Sequence, residues 1–497
     1  MSSTISGISW LHMASLLVFL LILAGIGFYL KNRVKSSEDY WVGGREIGPV
    51  TTAISYCAAY TSTVAVIGSS AMYYLYGLGY AVLEMLGTTV MVCTFTFVLI
   101  GLKMRAVSER INAVSLPGFL AMRFESNAAR LISGAMIAVM TIPYGVAALK
   151  GIADVLEVTA GVPYAWGVIL ISATALAYMV SSGYWGVATT DLIQGLVISV
   201  AVGALAWVAY DACGGVTEIV SGLQRTDPDL LRIPGPLPWG LFFSYSLVWA
   251  LIVFGQPQLV TKYMGLKDAR TMGTVIITSI VWEGLFLISL MLIGLGGRCL
   301  LGGELVNNAD LLPPTIASRY GSTFVSVLFL IGCMAAGLST IAALFLTSSA
   351  AVTKDIYEDG MMMSRGRTLD TQKAIRLSRI ITGIVIVATV ALALRPWDIV
   401  FHMSTAAAGA MGAAFTAPTF MGLYWKRATR AGCIAAMIGG GATSILWAVY
   451  DMGFTHMFVP GTVVSFILFI AVSLCTQAPK QETIDLFFRR GYAARQG

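Results

Sequence analysis

Long apolar runs separated by short polar or basic stretches fill this chain. A bilayer-crossing helix needs about 20 mostly apolar residues. Runs of that kind predict helices near 10–30, 50–75, 81–101, 128–157, 163–182, 188–210, 239–263, 272–297, 323–352, 379–395, 399–424, 431–450 and 458–475. The expected fold class is therefore all-α, a polytopic membrane protein with about thirteen transmembrane helices. No Lys or Arg precedes the first run, Trp10 to Leu30, whereas Lys31, Arg33 and Lys35 follow it. A cleavable signal peptide has the opposite order, so this run reads as a retained helix with its N-terminus outside.

Composition removes the soluble alternatives. Hydrophobic residues make up 57% of the 497 and charged residues 11%, against about 25% charged in soluble domains. That is too little charge to cover a water-facing surface, and the mean hydropathy of +0.81 agrees. The net charge of +6 looks like a nucleic-acid footprint only until it is read by position. Of the 31 Lys and Arg, Arg225, Arg232, Arg298, Arg319 and Arg395 fall on the outer side and Lys150 near a helix end. The rest lie on segments that become cytoplasmic when thirteen spans start outside, as the positive-inside rule requires. The C-terminus, with a short tail at 476–497, is then cytoplasmic, and a bacterial inner membrane is the expected location. Outer segments Gly214 to Pro238 and Gly302 to Ser322 read as caps, and Ile111 to Phe124 as a cytoplasmic re-entrant turn or surface helix. The 7 Cys show no metal spacing, the 3 His form no cluster, and no nucleotide-binding glycine motif opens a helix. Those absences argue against a zinc or haem enzyme and an ATP-driven pump.

Polar groups inside the spans carry the candidate chemistry. The second span contains Ala58-Ala-Tyr-Thr-Ser-Thr63, and the seventh contains Phe254-Gly-Gln-Pro-Gln258. Pro257 removes a helical hydrogen bond, and freed carbonyls at bilayer depth need an ion, water or solute to satisfy them. Paired interruptions of this kind mark transporter binding sites. Helices two to six and seven to eleven are then two repeats of five. Five being odd, the repeats enter the membrane from opposite sides. The resulting single domain, 1–475, has inverted repeats at about 48–212 and 238–426 and peripheral helices at 10–30, 431–450 and 458–475. The ninth span adds Ser339 and Thr340, whose hydroxyls can join carbonyls around a monovalent cation or simply pack helices.

With those breaks and Ser339-Thr340, the chain resembles the sodium:solute symporter family over almost its whole length. Gly43-Gly-Arg-x-x-Gly-Pro49 and Gly422-Leu-Tyr-Trp-Lys-Arg427, followed by Ala431-Gly-Cys433-Ile-Ala-Ala-Met-Ile-Gly439, carry the likeness. Cys433 stands where Ala is usual, and Ser181-Ser182-Gly183 replaces a Gly-Gly pair, with Thr190-Asp191 following as expected. Short stretches are similar to the proline and pantothenate carriers of the family. The resemblance implies a sodium site made by the carbonyls of Ala58, Thr61 and Ala336 with the hydroxyls of Ser339 and Thr340. It also places Tyr144 and Trp249 at the solute, beside Ser62, Thr63 and Gln256 at the two breaks. Val64 stands where proline carriers have Trp, and Tyr60 where they have Asp, as in pantothenate carriers. Some members hold a second sodium with Ser residues after the Ser-Thr pair and an Asp on the sixth span. Here Asp191 matches, but Ala342 and Ala343 replace the hydroxyls, so one sodium per cycle is expected.

Glu84, Lys150, Asp191 and Glu283 stand out as ionisable residues within the spans, where each is costly unless paired or wet. Glu84 and Lys150 can snorkel to the outer face, where Lys150 can also attract a solute carboxylate. Asp191 can cap the sixth span or serve a sodium exit path. Glu283 is central and has no partner readable from sequence. The expected activity is sodium-coupled secondary active symport of a small carboxylate-bearing solute: an amino acid such as proline, pantothenate or a monocarboxylate. Its partners are that solute and membrane lipid, with no nucleic acid, in a monomer or loose oligomer. A membrane-embedded lipid-modifying enzyme would need a His–carboxylate pair within a span, and a passive channel a repeated polar ring.

Overall fold

The computed structural model describes residues 10–363, 366, 370–395, 400–450, 452–453 and 455–488. The expected outside segment ahead of Trp10 and tail residues 489–497 lie outside the described residues. Nearly all of the described chain is helical. Its one β feature is an isolated bridge between Ile47 and Leu266, which clamps the entry to the second span against the exit of the seventh.

Among the described residues, ten helices are long and apolar enough to cross a membrane, and an eleventh is the bent pair Trp239–Gly255 and Pro257–Met264. The expected second to sixth spans are less separate in the backbone than in the hydropathy pattern. Ala65–Arg110 runs on for 46 residues and Tyr164–Cys213 for 50. At about 1.5 Å per residue either would overshoot a bilayer if straight. Each is broken at one glycine instead, Gly77 at φ 63°, ψ −144° and Gly183 at φ 54°, ψ −144°. Only glycine adopts that conformation readily, and it separates the second span from the third and the fifth from the sixth. At Gly77 a Cβ would also stand 2.1 Å from the Leu230 carbonyl oxygen of the capping segment. Gly77→Ala is expected to destabilise the protein by at least about 2 kcal/mol through strain and overpacking. Gly273→Ala, where nothing lies within 4 Å, is expected to leave the melting temperature of the purified protein nearly unchanged; equal melting of the two variants would overturn the Gly77 assignment.

Burial orders the helices. In the ninth span, which begins at Thr323, 89% of the apolar stretch lies inside the protein, against 28% for the first span. The ninth is the hub and the first a lipid-facing flank. Helices Val216–Thr226 and Leu312–Arg319 occupy the two expected caps. On the opposite face Leu116–Arg123 forms a short helix starting at a Ser115 cap. Fully buried Arg123 donates to the Gly422 and Trp425 carbonyls at 2.8 Å each, closing the exposed C-terminal end of the eleventh span. Burial pushes its guanidinium down to about 10, so it keeps its charge at neutral pH.

Candidate functional site

The second span stops at Tyr60 and resumes at Thr63. Thr61 leaves helical geometry at φ −82°, ψ 80°, and the Ser62 N–H donates to the Tyr60 carbonyl at 3.1 Å. The Ala58 carbonyl thereby loses its helical donor four residues on. The ninth span supplies a replacement: Ser339 Oγ lies 2.8 Å from the Ala58 carbonyl oxygen and 2.9 Å from that of Ala336. Thr340 Oγ1 lies 3.2 Å from the Ala59 oxygen and 3.3 Å from the same Ala336 oxygen. Gly337 permits this approach, since a Cβ there would be 2.5 Å from Thr63 Oγ1 and 2.2 Å from Ile152. Ala58, Ala336, Ser339 and Thr340 thus bring neutral oxygens together without a formal charge, a donor set that suits a dehydrated monovalent cation. Thr61 follows at the break itself, its hydroxyl turned to the eighth span and 3.4 Å from a Glu283 carboxylate oxygen.

The seventh span breaks at Gln256, at φ −89°, ψ 105°, directly before Pro257, and bends by 54° there. Gln256 Nε2 donates to the Ala408 carbonyl at 2.9 Å, and Gln258 Nε2 to Gln256 Oε1 at 2.8 Å. Between the two breaks lies a cavity. Ser62, Tyr144, Trp249 and Gln256 line it, as does Tyr60, whose ring meets Trp249 edge to face at 6.2 Å. Thr63 does not; its hydroxyl turns to the ninth span and donates to the Cys333 carbonyl at 3.0 Å. The expected second, fourth and seventh spans are joined by the third and eighth, which bring Glu84 and Glu283 into the cavity wall.

The other two ionisable candidates stand apart from the cavity. Lys150 pairs with Asp154 on its own helix at 2.5 Å, an i,i+4 contact. It faces its own carboxylate rather than the solute site, so the structure gives the expected solute-attracting role no support. Asp191 is fully buried and ion-paired with Lys262 at 2.7 Å. Ser55 joins them: its Oγ accepts from Lys262 Nζ at 2.7 Å and donates to Asp191 Oδ2 at 2.8 Å. Sequence reasoning misses Lys262, which stands at the end of the seventh span and counts there as a flanking basic residue. It also finds no metal spacing among the cysteines, whereas the fold brings Cys57, Cys93 and Glu283 donor atoms within 4.8 Å of one another.

The sequence profile of the sodium:solute symporter family matches residues 40–440. The chain belongs to that family. Transporters similar to it include the high-affinity proline transporter PutP of Bacillus subtilis (strain 168), 28% identical over 93% of this chain and 98% of that protein. The sodium/pantothenate symporter of Escherichia coli (strain K12) is 27% identical over 94% and 97% of the two chains. Among solved structures, a substrate-bound, outward-open Na+-coupled sialic acid symporter superposes with a TM-score of 0.80 at 18% identity, covering 95% of this chain and 99% of that one. Its likeness carries the fold. This symporter is thus a multi-pass membrane transporter and not an enzyme.

Proposed function

We propose that the protein is a sodium-coupled secondary active symporter that imports a small carboxylate-bearing solute, an amino acid above all, with one sodium per solute. The observation that carries this is the Ser339 bridge from the ninth span to the Ala58 carbonyl at the break of the second. A sodium ion held by Ala58, Thr61, Ala336, Ser339 and Thr340 would fix the unwound segment whose other side, through Tyr60 and Ser62, walls the solute cavity. Sodium and solute then strengthen one another's binding, a reciprocal coupling, and alternating exposure of the site carries both inward.

A stoichiometry of one is supported by the anion that a second site would use. Asp191 already holds the ammonium of Lys262, and Ala342 and Ala343 offer no hydroxyl. At about −100 mV one charge gains roughly 2.3 kcal/mol, and a tenfold sodium gradient adds about 1.4 kcal/mol. The sum supports a few-hundred-fold accumulation of a zwitterion, whereas a monoanion cancels the voltage term. The protein sits in the bacterial inner membrane with its N-terminus outside and C-terminus inside, as the distribution of Lys and Arg supports.

The test is uptake of labelled amino acids, beginning with proline, into proteoliposomes clamped at a series of membrane potentials. The expected result is sodium-driven uptake whose reversal potential corresponds to one sodium and one net charge per solute. Two sodium ions per solute, or uptake indifferent to sodium, would overturn the reading.

A further inference from the structure

We infer that the symporter grips its solute by a positively charged nitrogen, held between Glu84 and Glu283, so that the ammonium rather than the carboxylate is the pole this cavity selects. The inference rests on the symport reading above and specifies the chemical class of its solute. Both carboxylates line the cavity, and both are almost wholly buried, at 3% and 1% exposure. Among the described residues, none lining that cavity is a Lys, Arg or His. Two lysines of the spans are spent elsewhere, Lys150 on Asp154 and Lys262 on Asp191.

The two acids have only neutral company. Glu84 Oε1 accepts from the Ser69 hydroxyl at 2.7 Å, and the Tyr73 hydroxyl stands beside the carboxylate, although no bond of ordinary geometry reaches Oε2. Glu283 has the Thr61 hydroxyl at 3.4 and 3.5 Å and the thiols of Cys57 and Cys93 beside it. Hydroxyls and thiols cannot neutralise two carboxylates removed from water; each must take up a proton or meet a cation, and a bound ammonium supplies the cation.

A second observation, independent of the acids, points the same way. Gln258 spends its amide N–H on Gln256, and its own Oε1, in the wall of the same cavity and 3% exposed, has no partner. Glu84 and Gln258 thus leave acceptors open for an N–H donor; the Trp249 indole N–H and the Tyr60 and Thr88 hydroxyls of the same wall are open too, but they are neutral and do not offset the two carboxylates. Tyr60, Tyr144 and Trp249 add ring faces suited to an organic cation. Within the carboxylate-bearing solutes proposed above, the class is therefore one that also carries an aliphatic ammonium, as an amino acid does.

Matched ligands separate the two poles. Purified protein in nanodiscs, with and without sodium, is titrated with proline, pyrrolidine and cyclopentanecarboxylate, then with 4-aminobutyrate, butylamine, putrescine and butyrate, following thermal melting. Amine-bearing members are expected to raise the melting temperature, most strongly with sodium present, and the two amine-free carboxylates are not. Glu84→Gln and Glu283→Gln should each weaken amine binding by about tenfold or more, as loss of one charge-assisted hydrogen bond implies. Glu283→Asp should retain part of it, and cooperative melting shows that each variant is folded. Stabilisation by the carboxylates alone, by no member of the set, or undiminished amine binding in both Gln variants would overturn the proposal. A sodium-induced shift that survives such a result leaves the symport reading standing; its absence in the unaltered protein counts against that reading instead.

Discussion

Lys262→Ala is expected to cost about 3–5 kcal/mol of stability, the usual penalty when one partner of a buried ion pair is removed. Lys262 and Asp191 are 1% and 0% exposed, and their 2.7 Å contact is shared with Ser55. Removal of the ammonium strands a carboxylate whose other oxygen already lacks a hydrogen-bond partner, and the Ser55 hydroxyl alone cannot neutralise it. The position magnifies the effect. Lys262 sits on the half-helix Pro257–Met264 after the seventh-span break, Ser55 on the half-helix Pro49–Tyr60 before the second-span break, and Asp191 on the sixth span. Those two half-helices are also clamped by the bridge from Ile47 to Leu266, so the pair braces both broken spans at one end. Thermal melting of the purified protein measures the loss. The double variant Lys262→Met, Asp191→Leu is expected to recover much of it, since an apolar pair of similar volume carries no unpaired charge. Unchanged melting of Lys262→Ala, or a double variant no better than the single, would count against the brace.

How far the sequence reaches can be judged residue by residue. Span positions are legible because lipid imposes a length and an apolar surface on each run, and the Pro257 break is legible because proline lacks an N–H. The Lys150–Asp154 pair was open to a helical-spacing argument, and that argument sends Lys150 away from the solute. Partnerships across the fold were not open to it. Lys262 and Asp191 are 71 residues apart, and nothing local distinguishes that lysine from the basic residues that flank other spans. Thr63 shows the same limit: it is the first helical residue after a break whose turn the sequence does not specify, and its hydroxyl goes to the Cys333 carbonyl beside Gly337 of the ninth span. Glu84 and Glu283 stand out by cost alone, but only their meeting at one cavity turns two expensive residues into one electrostatic surface.

Ser339→Ala should raise the sodium concentration for half-maximal transport by about ten- to a hundredfold, which corresponds to losing roughly 1–3 kcal/mol of ligation. Ser339 Oγ lies within 2.9 Å of two carbonyl oxygens, those of Ala58 and Ala336, on two different spans. Its removal deletes one oxygen of the proposed site and also the bridge that holds the second-span break against the ninth span. Thr340→Ala should cost less, because its contacts to Ala59 and Ala336 are longer, at 3.2 and 3.3 Å. Reciprocity makes the prediction sharper than a loss of activity. At saturating sodium the Ser339 variant should bind solute nearly as the unaltered protein does, and at low sodium its solute affinity should fall by a factor matched to the loss in sodium affinity. A defect in packing alone would lower affinity at every sodium concentration. Solute titrations by thermal shift at several sodium concentrations tell the two apart: parallel curves for variant and parent would remove Ser339 from the ion site, whereas curves that converge at high sodium require that it touch the ion.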